Sequence, residues 1–576
     1  HDLNQCSTLR AEELSIPMPT AKLPATLYLP DRAALAINCL VGTLNPYKDQ
    51  LPFCLTDLTS SPPRMAHTQF DYSDHTARVI DALLLARAIS GSEAGGTELV
   101  ALRRLFDSGF DDDGLHYTPD NRWSFRHANM HYQRSVINGL LSLSLVEGCE
   151  RAPKQLANLV DALDRISLSG DGFAYFPSVE RMPDGWPRGD WGILGFGVDP
   201  ANTNGRLIFG LTRSAELLGS DKSAALAKAY AHHVMHHSSA FQADGSFATG
   251  MEFREGHFHS RAVTLLGVLR YAKTANDAEA LAWATMVFDR ALRYGTRGGW
   301  FPERIVPSKA HGCETCAVVD MMESAMLLGM NGRTEYWGIA ERFLRNQLIE
   351  SQLTSCDGLE ISKGGGQDDE WETTERVVER SVGGFAGWSQ PNDLFSKVMH
   401  DWDLYTCCSA QGVRGLFNAW THATTFDDST VSVNLLINSI SAQAFVSSWL
   451  PVTGRIEVIP KQDCAVRMRI PEGVGVGDVD VSANGVKVQN TSVSNGYLHV
   501  PRVSNEVHLV FSFAVPEQHR SEDILGVSYE SHWRGDSIVD ISPSGIRVPL
   551  YQGRTVSEDS VVLLEKDAPE IGFRLL

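Results

Sequence analysis

The feature that most constrains the fold of this chain is a repeating unit of two helices and a glycine turn. From about residue 71 the runs HTARVIDALLLARAIS, TELVALRRLFDSG, QRSVINGLLSLSLVEG and PKQLANLVDALDRISL set apolar residues at i, i+3, i+4 and i+7, the spacing of one helix face. Similar runs follow at 203–219, 221–237, 257–275, 277–294, 314–331, 334–351 and 402–423. Between helices the chain repeats turns in which a glycine precedes aromatic or apolar residues: Gly114-Leu115-His116-Tyr117, Gly172-Phe173-Ala174-Tyr175, Gly245-Ser246-Phe247, Gly299-Trp300-Phe301 and Gly358-Leu359. Successive turn glycines lie 54 to 73 residues apart, room for two helices and their loops. Helix hairpins stacked at that period bury one another's apolar faces. About six of them, closing on themselves, predict an (α/α)6 barrel over 71–426, with eleven or twelve helices and the aromatic turns gathered around a pocket at one end. An open helical array is the alternative.

The pattern changes after about Asp427. STVSVNLLINS, GRIEVIP, CAVRMRIP, DVDVSANGVKV, GYLHVP and EVHLVFSF alternate with period two and are broken by Asn-Gly, Gly or Pro, which predicts an antiparallel β-sandwich over 427–516. SIVDISP, IRVPLYQG and VVLLEK predict a C-terminal β segment over 517–576 that completes the sandwich or adds a sheet. Residues 1–70 are Pro-rich and irregular apart from a strand at Ala25–Leu29, and read as a segment wrapped on the barrel.

Composition narrows the class of partner. A net charge of −20 argues against nucleic acid, whose phosphates call for a basic face. No run of 18 apolar residues exists, so no membrane span is expected. The chain starts His1-Asp2 without Met, as for a soluble protein of the cytoplasm, or of the periplasm or medium with a signal peptide removed. A carbohydrate is the expected partner, and a homodimer is left open. Ten irregularly spaced cysteines do not make a disulfide framework.

Two cysteine clusters carry the chemistry. Cys407-Cys408 opens one helix and Cys313-Glu314-Thr315-Cys316 opens another. Adjacent cysteines rarely bond each other, because the ring strains the peptide between them. Cys and Glu at one helix start and Cys-Cys at a second could make a four-coordinate zinc site; buried free thiols are the other reading. Cys313 adds a third thiol beside Glu314 and could replace a ligand. His257 and His259, an HxH at a helix start, could hold a metal or a polar ligand. Glu303, in an aromatic loop, could serve as general acid. Asn204 and Arg206 open another helix and could bind hydroxyls or a carboxylate, as could Arg414. Trp186, Trp191, Trp300 and Trp388 sit in Gly- or Pro-rich loops and suit stacking on sugar rings. The acidic, Gly-flanked stretch 364–388 is either a lid or a solvated loop.

Glu314-Thr315-Cys316-Ala317, followed by Thr-Cys-Cys-Ser-x-Gln-x-x-Arg at 406–414, resembles the zinc- and cysteine-dependent β-L-arabinofuranosidases of glycoside hydrolase family 127 and their relatives. HFHSRA with GVLRYAKTANDAEAL, and later Arg469-Ile470-Pro471, Asn484-Gly485 and Gly496-Tyr497, fall in that family's order, so the resemblance spans roughly 70–515. It implies an (α/α)6 barrel followed by β-sandwich material, and zinc held by Glu314, Cys316, Cys407 and Cys408. It also implies Cys407 as nucleophile of a retaining glycoside hydrolase acting on non-reducing-end sugars. Glu303 is the nearest equivalent of the family's general acid, and His257, His259, Asn204, Arg206, Trp300 and Arg414 would bind substrate. Two rivals use the same residues: a lyase acting on acidic sugars through His257, His259 and Arg206, and a non-catalytic zinc-containing carbohydrate-binding protein.

Overall fold

The computed structural model describes residues 20–187, 199–250, 253–361, 369–396, 402–552, 554, 557 and 561–567. Among the described residues thirteen α-helices run in chain order: α1 (Leu29–Gly42), α2 (Thr76–Ser90), α3 (Gly96–Ser108), α4 (Met130–Leu145), α5 (Arg151–Ile166), α6 (Asn204–Leu218), α7 (Asp221–His232), α8 (Phe258–Ala275), α9 (Ala278–Ala291), α10 (Thr315–Met330), α11 (Glu335–Phe343), the short α12 (Val377–Ser381) and α13 (Thr406–Ala423). Contacts between α2, α4, α6, α8, α10 and α13 run around a closed ring, α13 returning to α2. The other long helices pack outside them, α3 on α2, α5 on α4, α7 on α6, α9 on α8 and α11 on α10, with α1 against α2 and α13. This is the (α/α)6 barrel, closed rather than an open array.

Sequence character sorts the two rings. Inner α10, TCAVVDMMESAMLLGM, is apolar almost all round and is buried from Thr315 to Gly329, as a helix inside a ring must be. Outer α5 buries only one side, Ala152, Leu156, Leu159, Val160, Ala162, Leu163 and Ile166.

The N-terminal segment is more ordered than its prolines suggested. The strand there is Thr20–Pro24, and Leu29 begins α1 rather than ending a strand. Pro30 stands in the first turn of α1, where its missing N–H removes no helix bond. Downstream, strands Leu55–Asp57 and Arg64–Ala66 join Leu404–Tyr405 and Glu372–Thr373 in one four-stranded sheet that leads into α13.

After α13 come two sheets. One runs in the order Thr424–Asp427, Thr430–Val433, Cys464–Arg469, Tyr497–Val503, Ser492–Ser494, and the other Ser439–Ile440, Ala444–Ser448, Gly454–Pro460, Leu509–Phe513, Asp480–Ala483, Val486–Lys487. They share a core of Val431, Val433, Val446, Ile456, Val458, Val466, Met468, Leu498, Val500 and Phe511. One pairing departs from the antiparallel expectation, since Thr430–Val433 lies parallel to Cys464–Arg469. The meander Glu517–Ile524, Val527–Arg534, Ser537–Ser542 does not extend the sandwich; its Tyr529, Trp533, Ile538 and Ile541 pack with Phe53, Met65, Leu353 and Phe395. Leu563–Asp567 pairs with Thr20–Pro24, tying the two ends of the described chain together. Barrel and sandwich are joined by buried charges: Glu341 of α11 takes Arg345 Nε at 2.6 Å, the Leu436 amide at 2.8 Å, and Arg469 from the sandwich.

Candidate active site

Every inner helix sends residues from its start into one cavity of about 290 Å³. Asp74, His75 and Arg78 come from the start of α2, His131 from α4, Arg206 from α6, His257 and His259 from α8, Glu314 from α10 and Cys407 from α13. Six helix N-termini therefore face the same space, and their unpaired N–H groups favour negative charge there. Loops add Leu55, Phe70, Arg254, Glu303, Arg304, Trp388, Trp402 and Tyr405.

The ligand atoms of Glu314, Cys316, Cys407 and Cys408 all lie within 4.8 Å of one another. Cys316 Sγ is 3.7 Å from Cys408 Sγ, and Cys407 Sγ is 3.8 Å from Cys408 Sγ. Two sulfurs bound tetrahedrally at ~2.3 Å from zinc stand ~3.8 Å apart, so the donor set and its spacing fit an ion of that size. Cys407 and Glu314 also border the cavity, whereas Cys316 and Cys408 stand behind them. Cys313 turns away from the cluster; its Sγ accepts the Phe301 amide at 3.2 Å, and burial pushes the thiol up to about 12. It is not among the clustered donors.

Local structure fixes these donors. Thr406 donates its amide to Cys54 O at 2.9 Å and its hydroxyl to Phe53 O at 2.5 Å, so the N-terminal segment pins the start of α13. Thr315 Oγ1 reaches Ala386 O at 2.7 Å and Ser409 Oγ accepts the Phe385 amide at 3.1 Å, which ties α10 and α13 to one connecting segment. Burial alone would raise the Cys407 thiol, but hydrogen bonds from Cys316 and Cys408 and the Arg78 charge bring it down to about 6. Cys316 and Cys408 are pushed the other way, first by burial and then by their thiol neighbours.

Glu314 faces His257, whose Nε2 lies 3.1 Å from its Oε2. Burial would raise the Glu314 carboxyl, yet His257, Arg206 and Arg254 hold it below the usual range. Burial and Arg254 lower His257 to about 4, so it is a neutral imidazole. His259 Nδ1 lies 2.7 Å from Asp320 Oδ2, and its Nε2 accepts from Arg206 Nη1 at 3.0 Å. Glu303 is buried in the cavity wall. Its carbonyl takes the Phe258 amide at 2.8 Å and its amide donates to Gly312 O at 2.9 Å, so its backbone is clamped between α8 and the loop before α10. Gly312 has φ +75°, and a Cβ there would lie 2.9 Å from Trp388 Cβ and 3.1 Å from Ser396 Cβ; only glycine fits.

Three expected substrate contacts lie elsewhere. Asn204 is buried against Thr203 and His233, Arg414 Nη2 pairs with Asp81 at 2.6 Å, and Trp300 donates its Nε1 to Ser389 O at 3.0 Å. None borders the cavity. The aromatic wall is instead Trp388, stacked on Tyr405 at 5.4 Å between centroids, with Phe70 and Trp402. Trp191 and residues 364–368 of the acidic stretch lie outside the described residues. Arg78, His131, Arg254 and Arg304 were not singled out in the sequence. Arg78 and Arg134 carried a signal, an arginine in the first turns of an inner helix whose later turns are rich in apolar residues. A second buried donor cluster, Cys54, Asp71 and His75, lies behind Tyr405, with Asp71 also held by His67 at 2.7 Å.

No protein-family model and no curated protein sequence matches the chain. Solved structures do. A family 127 β-L-arabinofuranosidase from Geobacillus stearothermophilus T6 is similar with a TM-score of 0.56 and 14% identity, covering 88% of this chain and 80% of that one. A second family 127 β-arabinofuranosidase gives 0.56 and 14% over 88% of this chain and 78% of its own. A structure described as a glycoside hydrolase gives 0.54 and 13% over 85% and 83%. The chain has the fold of family 127.

Proposed function

We propose that this protein is a retaining glycoside hydrolase acting at the non-reducing end of a saccharide, with Cys407 as nucleophile and Glu303 as acid and base. The observation that supports the reading most is the arrangement around Cys407. Of three clustered thiols it alone borders the cavity, it has the lowest thiol pKa of the three, and a buried glutamate on a clamped loop shares that cavity. The family 127 fold, carried by proteins described as β-arabinofuranosidases, supports it further.

Glycoside cleavage needs a proton on the leaving oxygen and a nucleophile at the anomeric carbon. The Cys407 sulfur forms a bond to that carbon as the carbon–oxygen bond breaks, and Glu303 gives its proton to the departing oxygen. Glu303, now a carboxylate, takes a proton from water, whose oxygen displaces the sulfur and frees the sugar. Glu314, Cys316, Cys407 and Cys408 are the residues that would hold zinc, which when bound keeps thiolates ionised. His257 orients Glu314. Trp388 packs on the sugar ring, and Tyr405 backs Trp388.

The test is a screen of aryl glycosides and plant or algal oligosaccharides with wild type and Cys407→Ala. Turnover falling ~10²-fold or more in the variant is expected; near-normal turnover ends the nucleophile assignment.

A further inference from the structure

Charges of both signs line the cavity, Asp74 at the start of α2 and Arg254 and Arg304 from loops among them. Inner-ring neighbours α2, α4 and α6 supply Arg78, His131 and Arg206, while α10, α13 and the loop before α10 supply Glu314, Cys407 and Glu303. Glu314, Cys407 and Glu303 do the chemistry proposed above; Arg78 lowers Cys407 and Arg206 lowers Glu314, but neither cation is assigned a contact with substrate there.

Resting on that hydrolytic reading, we propose that the sugar received by this cavity carries a carboxylate, bound by Arg78 with Arg206 and His131 beside it.

Arg78 carries the argument. Its side chain is buried, only 6% of the residue is exposed, and it borders the cavity. Nε donates to Asp74 Oδ1 at 2.8 Å, and Ser135 Oγ donates to that same oxygen at 2.5 Å. Asp74 is thereby used to orient the guanidinium. Neither Nη of Arg78 makes a hydrogen bond among the described residues. A guanidinium gripped at Nε and open at its terminal fork is shaped for the two oxygens of a carboxylate.

Arg206 needs an anion more. It is fully buried, and its terminal nitrogens meet only neutral acceptors, His259 Nε2 at 3.0 Å and Ser260 Oγ at 2.7 Å. Among the described residues no carboxylate forms an ion pair with it. Burial, then the charges of Arg134, Arg78 and Arg254, lower it to about 9, and the more distant Glu314 offsets this only in part. A buried cation without its anion is costly, and a substrate carboxylate removes that cost where a hydroxyl does not. The imidazole of His131 makes no hydrogen bond among the described residues, and burial with Arg206 and Arg78 keeps it neutral and able to donate one proton. Because α2 adjoins α13, this wall sits next to Cys407.

The experiment titrates the full-length, metal-loaded protein by calorimetry with glucuronate, galacturonate and mannuronate, each against its methyl ester and its parent neutral sugar. At least one uronate is expected to bind about 10- to 100-fold tighter than its ester, the effect of a hydrogen bond to a charged group. Arg78→Lys, which keeps the charge and loses the fork, and Arg206→Met are each expected to remove most of that preference. The wild-type comparison needs no variant, so a variant that fails to fold leaves the test intact. No uronate outbinding its ester overturns the proposal. Glucose 6-sulfate or glucose 6-phosphate outbinding every uronate overturns it too, by replacing the carboxylate with a tetrahedral anion. Cys407-dependent hydrolysis of neutral glycosides without any uronate preference removes this inference alone. Arg78-dependent uronate binding with turnover unchanged in Cys407→Ala supports the binding wall and removes the hydrolytic reading alone.

Discussion

His257 Nε2 stands 3.1 Å from Glu314 Oε2, and the other ring nitrogen of His257 lies 2.7 Å from Ser260 Oγ. A helix start is thus spent on aiming one carboxylate at a cluster of thiols. Outer partners of this kind tune a metal's hold, so His257→Ala is expected to weaken zinc affinity ~10- to 100-fold. Competition against a chromogenic chelator measures it; unchanged affinity would show that the contact does not orient a ligand.

Metal content separates the three clustered thiols from the fourth. Purified protein is expected to carry about one zinc per chain, Cys408→Ser to lose it, and Cys313→Ser to keep it, because Cys313 faces Phe301 instead of the cluster. Elemental analysis of the three proteins decides this. A stable wild type without zinc, or loss of zinc in Cys313→Ser, contradicts the ligand set.

Glu303→Gln removes the proposed proton donor while preserving shape. A fall in kcat of ~10²-fold or more is expected, smallest for substrates whose leaving groups need no proton. An equal fall across leaving groups would move the acid role to another carboxylate; Glu255 is engaged with Arg304 at 3.2 Å.

The joint between barrel and sandwich gives a pH prediction. Burial raises Glu341, but Arg345 and Arg469 outweigh it and hold the carboxyl below its usual range. A carboxylate depressed in the folded state stabilises above its unfolded pKa of ~4.3, and that contribution is lost as pH falls through the lower folded value. Glu341→Gln leaves Arg345 buried without its anion and Arg469 with only Asp536 at 3.6 Å, a cost of ~3–5 kcal/mol. Denaturant midpoints are expected to show that loss at pH 7 and a smaller one as the pH falls below 4. A variant as stable as wild type at pH 7 would contradict it.

Much of this architecture was legible because a period of 3.6 and a period of two are hard to confuse over long runs. What escaped has physical reasons. α1 was hidden because Pro30 reads as a helix breaker, although in the first turn proline costs no hydrogen bond. Asn204 and Arg206 both open α6, but two residues turn a helix by ~200°, so only one faces the cavity. Arg414 lies seven residues beyond Cys407, ~10 Å deeper along α13, where it meets Asp81 instead. That Glu314, Cys316, Cys407 and Cys408 come together was legible because sequence motif and helix start coincide. The meander after 516 alternates like any half-buried sheet, and alternation does not say which neighbour its apolar face meets.

The account turns on Cys407, and trapping tests it most directly. Glu303→Gln, mixed with a glycoside of activated leaving group that the wild type cleaves, is expected to form its adduct and release it slowly. Mass spectrometry of the quenched, digested protein is expected to show one sugar residue added to Cys407. An adduct on any other side chain, or turnover by Cys407→Ala at the wild-type rate, would contradict the account.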